Sequence, residues 1–388
     1  MPQKIKYTKT AEFVNRSEEL DYLAQWINKK PQHILFIYGP KSSGKTTLLY
    51  KFIETHLTNK YFNIKHFNLR EMLIANYSDF IQAFFEVDYS KQSGDMKQKK
   101  EYNLKLFKLS KEIKKSLENK TLDPFVVMKK ELLKISRKGK QPIIIIDELQ
   151  ALEDIYINGQ RDLLKELFNF FVALTKESHL CHVIIASSDG YFMSRIYNDS
   201  KLTKTSDFFE INYLTQQDVR YWLTHLEQES GITAFTLTDE QIEIIWKYLG
   251  GSMFEISIVL GKLISLAKNK RLETETIKKE INRFVTINCG KFERYVKLNK
   301  QKFQLVKHIL NIWEKRQDFV QRDLHKLVSS KMYGDNDLSD ELNNLVRMNI
   351  LAFNPTASSY AIQGNALYYG LRQYIQTVMN SESIEIFN

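Results

Sequence analysis

One octapeptide restricts what this chain can fold into more than any other feature. Residues 39–46 read Gly39-Pro40-Lys41-Ser42-Ser43-Gly44-Lys45-Thr46 and fill the pattern G-x-x-x-x-G-K-[ST] in full. Residues 33–38 ahead of it read as a buried strand, and residues 47–55 behind it read as a helix. Strand, glycine-bearing turn and helix in that order form the first βα step of a parallel sheet. The glycines let the backbone wrap around phosphates with its N–H groups turned inward. The helix N-terminus adds a partial positive charge. The pattern therefore implies a nucleoside triphosphate held by residues 39–46 and the adjoining Thr47. Lys45 would neutralise the β- and γ-phosphates, and Thr46 would set its hydroxyl on Mg²⁺.

A second strand adds the chemistry that a binding loop lacks. Residues 143–148 are four isoleucines running into Asp147 and Glu148. A continuous β-branched run is typical of a parallel strand covered on both faces. Asp147 at its end can hold magnesium, directly or through a water. Glu148 is placed to orient and deprotonate an attacking water, which requires hydrogen-bond reach. The alternative is a strand that ends in a polar turn, but the complete loop about one hundred residues upstream favours a hydrolytic site. Residues 182–186 form a further apolar strand ending in Ser187-Ser188-Asp189. Ser187 or Ser188 could sense the γ-phosphate; equally, the segment could cap the helix starting near Tyr191. Arg195 on that helix is either a γ-phosphate contact or a surface arginine. No [NT]-K-x-D guanine-reading motif follows: Thr175-Lys176-Glu177-Ser178 comes nearest but ends in Ser and lies in a helical stretch, which argues for adenine and so for ATP.

Residues 91–140 hold 16 Lys/Arg against 6 Asp/Glu, so this one segment carries the whole formal charge of +10. A concentrated basic patch suits nucleic acid, an acidic partner or a membrane surface, or is a solvated helix face. Few of its lysines alternate with aromatics, which weakens a single-strand stacking role. No apolar run approaches the roughly 18–20 residues of a membrane helix. The N-terminal ten residues are polar and lysine-rich, unlike a secretory signal. Cys181 and Cys289 lack metal-ligand spacing, and a reducing cytoplasm fits them.

Three zones are expected. Residues 1–212 alternate strand and helix signals, with strands at 33–38, 62–69, 142–147, 182–187 and 208–213. A basic insertion at about 91–140 interrupts them as two amphipathic helices. One carries Leu106, Leu109, Ile113 and Leu117, the other Phe125, Met128, Leu132 and Ile135, with a break near Asp123–Pro124. Residues 213–288 form a helical domain, with Thr215 and Thr238 as N-caps, Gly250-Gly251 as a stop and a helix at 256–267. Residues 289–388 give helices at 302–313, 322–328 and 338–348 and a hairpin at 350–362, the pattern of a winged helix. The fold class is α/β: a P-loop NTPase parallel sheet with a five-stranded core, a helical lid and a C-terminal winged-helix domain.

Phe13-Val14-Asn15-Arg16-Ser17-Glu18-Glu19-Leu20 resembles the F-x-x-R-x-x-E-L opening of the archaeal ATPase family, P-loop ATPases akin to the STAND and AAA-type classes. Ile146-Asp147-Glu148-Leu149-Gln150 and the segments after it are similar to that family in order and wording. The resemblance implies a five-stranded parallel core, a lid and a winged helix, with Asn15 and Arg16 near the nucleotide cleft. Gly250-Gly251-Ser252-Met253 departs from the family's Gly-Gly-x-Pro lid motif.

A winged helix reads DNA with its third helix, yet residues 338–348 carry Asp340 and Glu341 against Arg347 alone. This balance favours a protein partner; residues 91–140 are the better nucleic-acid surface. Three functions stand: a slow ATPase acting as a switch, a DNA-associated loader of origin-recognition or mobile-element type, and a non-hydrolytic nucleotide-dependent interaction protein. The third is motivated by the lack of an obvious arginine finger, a group worth about 10³–10⁵ in rate.

Overall fold

The computed structural model of the chain describes residues 13–87, 107–157, 159–199 and 202–385. Residues 91–106 of the expected basic insertion, Leu106 included, lie outside the described residues. The chain divides into two units: a sheet unit, Ser17–Tyr38 with Leu48–Glu210, and a helical unit, Met1–Arg16 with Gly39–Thr47 and Ile211–Asn388.

The sheet unit starts with α1 (Ser17–Ile27) and β1 (Ile34–Tyr38); α2 (Lys45–His56) enters it at Leu48. Then come β2 (Phe62–Asn68), α3 (Tyr77–Phe84), α4 (Lys111–Glu118), α5 (Pro124–Arg137), β3 (Gln141–Asp147), α6 (Leu163–Val172), β4 (His182–Ala186), α7 (Gly190–Asn198) and β5 (Ser206–Glu210). The five strands pair in parallel in the order β2-β3-β4-β1-β5. Every residue of β1 and β4, and all but the first of β3, is buried. Strands covered on both faces read as unbroken apolar runs rather than alternating ones, so these three are legible in the sequence. The last strand differs from expectation: it spans Ser206–Glu210, not 208–213. Its register runs from Ile34↔Ser206 to Tyr38↔Glu210, and it ends where its partner β1 ends. Edge position leaves it half-buried throughout, so its polar first residues carry no strand signal.

The described part of the insertion is a helix pair broken where Asp123 caps α5 through its carboxylate (Phe125 N, 2.8 Å) and Pro124 occupies the first turn. The first helix begins later than expected. Leu109 belongs to a short parallel pair, Phe107–Leu109 with Phe85–Val87, and Ser110 caps α4. Phe107 and Leu109 are buried two residues apart, a strand period that overrides the helical spacing drawn through Leu109.

The helical unit runs α8 (Gln216–Thr224), α9 (Leu226–Ser230), α10 (Asp239–Leu249), α11 (Met253–Ile264), α12 (Thr274–Val296), α13 (Lys300–Arg316), α14 (His325–Ser329) and α15 (Asp335–Arg347). The antiparallel hairpin of β6 (Leu351–Asn354) and β7 (Ser359–Ile362) and the long α16 (Asn365–Glu385) complete it. Thr215 and Thr238 each close a capping box, with Asp218 and Gln241 answering from the third helical position. Gly250 ends α10 at φ 59°, and Gly251 approaches Leu214 so closely that a Cβ there would lie 1.9 Å from its carbonyl oxygen. Ile277, Ile281, Val285, Cys289, Phe292 and Val296 line the buried stripe of α12, which packs along α16. The helices α13 to α15 and the hairpin form the winged helix, and Phe319 exchanges two backbone hydrogen bonds with Tyr360 as its third strand (2.9 and 2.7 Å). Among the described residues no helix is long and apolar enough to cross a membrane.

Candidate nucleotide site

The loop follows β1 in the chain and opens α2, as the motif requires. Its shape depends on Gly39, at φ 147°, where a Cβ would lie 2.1 Å from the Ile211 carbonyl oxygen. Ser42 (φ 63°) and Gly44 (φ 92°) also take positive φ. Lys45 is buried and donates to the carbonyls of Gly39 (3.0 Å) and Pro40 (2.8 Å), with the Ser43 hydroxyl at 3.4 Å. These three acceptors are uncharged and belong to the loop itself. That donor set, at a helix N-terminus, fits a polyphosphate.

The helical unit braces this loop. Arg16 donates to the Ser43 carbonyl (2.9 Å) and the Asn212 carbonyl (2.6 Å), joining the loop to the segment that leads into α8. Asn15 donates to Asp218 of the α8 capping box. Burial pushes the Asp218 carboxyl up. Hydrogen bonds from Thr215 and Asn15 and the charge of Arg16 outweigh this and hold it below its ordinary range. The Tyr213 hydroxyl donates to the Lys41 carbonyl at 3.1 Å. Burial, with the nearby Glu255 charge, pushes that phenol up. Glu255 is itself raised to about 7 by burial, with Lys291 pulling the other way.

In the sheet unit the strand tips carry the acids. Asp147 ends β3 almost wholly buried and pairs in register with Asn68 of β2 and Ala186 of β4. Glu148 follows in a left-handed conformation (φ 63°), and its amide donates to the Ala186 carbonyl at 2.8 Å. Such a conformation is uncommon outside glycine and asparagine and marks a fixed direction for the side chain. The buried Glu148 carboxylate accepts from Arg70, from Gln150 and from the Ser188 hydroxyl (3.0 Å). Arg70 also reaches Ser188 (3.1 Å). The short helical turn Leu69–Glu71, capped by the Asn68 side chain, sets Arg70 in place. Ser187 is fully buried; its hydroxyl donates to Gln150 (2.9 Å) and accepts from the Asp189 amide (3.0 Å). Asp189 caps α7, and Arg195 on that helix pairs with Glu153.

Sequence reasoning missed Arg70 and the role of Gln150. The Gln150 signal was available, two residues beyond Glu148. No local signal exists for Arg70, which reaches Glu148 only because β2 and β3 pair in a register that aligns Asn68 with Asp147.

A parallel sheet in this order, a G-x-x-x-x-G-K-T loop leaving β1 and an Asp-Glu pair closing β3 define a P-loop nucleoside-triphosphatase fold. More narrowly, the chain belongs to the ATP-binding family whose model is described as an ATPase domain predominantly from Archaea; the match spans residues 13–259. It is 32% identical to the uncharacterized ATP-binding protein MJ1006 of Methanocaldococcus jannaschii, covering 94% of this chain and 95% of that protein. A second protein of that organism, MJ1076, is 37% identical over 70% of this chain and 75% of its own. Among solved structures, the fold is similar to that of the Walker-type ATPase paby2304 of Pyrococcus abyssi. The TM-score is 0.62 at 16% identity, over 95% of this chain and 99% of that one. It is also similar to the ORC2 protein of Aeropyrum pernix in its ADPNP–ADP complexes, with TM-score 0.51 at 13% identity over 97% and 98%.

Proposed function

We propose that the chain hydrolyses ATP to ADP and phosphate with magnesium, slowly, and uses the cycle as a conformational switch. Lys45 and the loop amides bind the phosphates; Thr46 and Asp147 supply magnesium ligands; Glu148 is the general base. Bound magnesium would supply charge neutralisation at the phosphates. Arg16 braces the loop and Asn15 ties that brace to the lid. Ser187, bound to Gln150, would relay phosphate contact to Glu148 through that amide.

The observation that carries this reading is the fixed carboxylate of Glu148, held by Arg70, Gln150 and Ser188 at the end of β3. A solvated turn residue needs no such set of donors. A carboxylate with its lone pairs engaged is a poor base, so turnover requires that a donor give way to water. Arg70 is the candidate restraint. The deciding measurement is phosphate release by wild type and Glu148→Gln, alongside binding of a fluorescent ATP analogue. Loss of turnover with binding retained supports the assignment; equal turnover rejects it.

The winged helix fits a protein partner. Asp335, Asp337 and Asp340 are exposed on α15, with Arg347 as its cation, a poor balance for phosphate contacts.

A further inference from the structure

The helical unit holds a cavity of about 340 Å³, within the size range of small-molecule sites, between the end of α13 and the start of α16. Trp313, Glu314 and Gln317 line it from one side, Asn365, Tyr368 and Tyr369 from the other. Among the described residues, then, three aromatic rings and one carboxylate face the space, with no lysine or arginine in the lining. Every one of these residues is exposed or half-buried, so a solute can reach each of them. The rings are held by their neighbours: the centroids of Tyr368 and Tyr369 lie 4.8 Å apart at 58°, and Tyr248 packs on Tyr369 at 4.4 Å.

The charge distribution here suits a cation. An aromatic ring is negative over its face, so rings gathered around one space attract positive charge into it. The Tyr368 hydroxyl donates to Glu314 at 3.3 Å, which sets the carboxylate beside the rings. Among the described residues no cation pairs with Glu314. Burial and then the Glu314 charge push the Tyr368 phenol up; Arg372, one turn further along α16, pulls it down with a smaller effect. At this ring the carboxylate therefore outweighs the arginine. Arg316, two residues past Glu314, is spent on Asp323 and on the Asp318 carbonyl. The C-terminal end of α13 adds a partial negative charge, and the N-terminal end of α16 opposes it, which leaves the rings and Glu314 to set the sign.

We propose that this cavity binds an organic cation through a quaternary, N-methylated ammonium group. Trp313, Tyr368 and Tyr369 take the methyl groups, which ask for no hydrogen-bond acceptor, and Glu314 balances the charge. An unmethylated ammonium is strongly hydrated and carries three N–H donors, for which ring faces are a poor exchange. A neutral molecule of the same shape gains the burial without the attraction to the rings. A free choline-like molecule and a trimethylated lysine side chain share this chemistry.

The test titrates the full chain calorimetrically at pH 7 with choline, with ethanolamine, which lacks the methyl groups, and with 3,3-dimethyl-1-butanol, which keeps choline's shape without its charge. Saturable choline binding, about tenfold or more tighter than either analogue, is expected. The amide of Nα-acetyl-trimethyllysine, titrated alongside, identifies the source: tighter binding than choline assigns the site to a methylated side chain, weaker binding to a free cation. Glu314→Gln, at an exposed position, should weaken choline several-fold and leave the neutral analogue unchanged. Trp313→Leu should abolish the preference for choline over its neutral analogue. Should that variant fail to fold, Glu314→Gln and the analogue comparison still decide. No saturable binding of choline or of the trimethyllysine amide, equal affinity for either analogue, or indifference of choline binding to Glu314→Gln overturns the proposal.

Discussion

Glu148 combines a positive φ, burial and three donors, and each contributes to what substitutions should do there. Glu148→Gln keeps the volume and removes the base. Turnover is expected to fall about 10²–10⁴-fold with ATP affinity nearly unchanged, read by phosphate release and analogue binding. Arg70→Ala removes a restraint rather than a catalyst. If the lost hydrogen bond is worth about 1 kcal/mol, basal turnover should rise roughly fivefold. A fall would assign Arg70 to the reaction itself. Lys45→Ala is expected to weaken nucleotide binding by at least about tenfold, because a desolvated cation facing phosphate has no substitute in water. The positions of Lys45 in the loop and of Asp147 and Glu148 at the end of β3 were legible from eight residues and one strand end. Arg70 was not, because nothing within its own neighbourhood distinguishes it.

At the level of elements, what is local was readable and what depends on a partner was not. Thr238 and Gln241 satisfy orphan amides at the start of α10, and that information lies wholly within four residues. Thr238→Ala should therefore cost about 1 kcal/mol in urea unfolding without altering nucleotide affinity. The edge strand β5 is the counterexample. Its side chains neither alternate nor run apolar, and its limits come from the length of β1 beside it. The insertion contains both cases. Asp123-Pro124 starts α5 by local chemistry, whereas Leu109 joins a strand because Phe85–Val87 lies alongside.

At the level of the whole molecule, the two units should answer to pH in opposite directions. In the sheet unit burial lowers His66 and His182 from 6.5 to about 4. Between those values the unfolded chain binds more protons, so this unit loses stability as pH falls from about 6.5 to 4. In the helical unit Glu255 rises from 4.5 to about 7, mainly through burial. Between those values the folded state binds more protons, so that unit loses stability as pH rises from about 4.5 to 7. Shifts of this size are each worth on the order of 3 kcal/mol at most. Hydrogen exchange followed peptide by peptide from pH 5 to 7 should show protection increasing in the sheet unit and decreasing in the helical unit. Glu255→Gln should flatten the second trend; parallel trends in both units would refute the assignment. The sequence by itself determined the phosphate loop, the Asp-Glu strand end, three of the sheet strands and the helix caps, because each is written in contiguous residues whose burial or hydrogen bonding is satisfied locally. Only the tertiary structure decided that Arg70 holds Glu148, that β5 stops at Glu210 and that Asp207 takes hydrogen bonds from Trp26 and His33. Those facts follow from strand register and packing between segments tens to more than a hundred residues apart, and no local pattern encodes them.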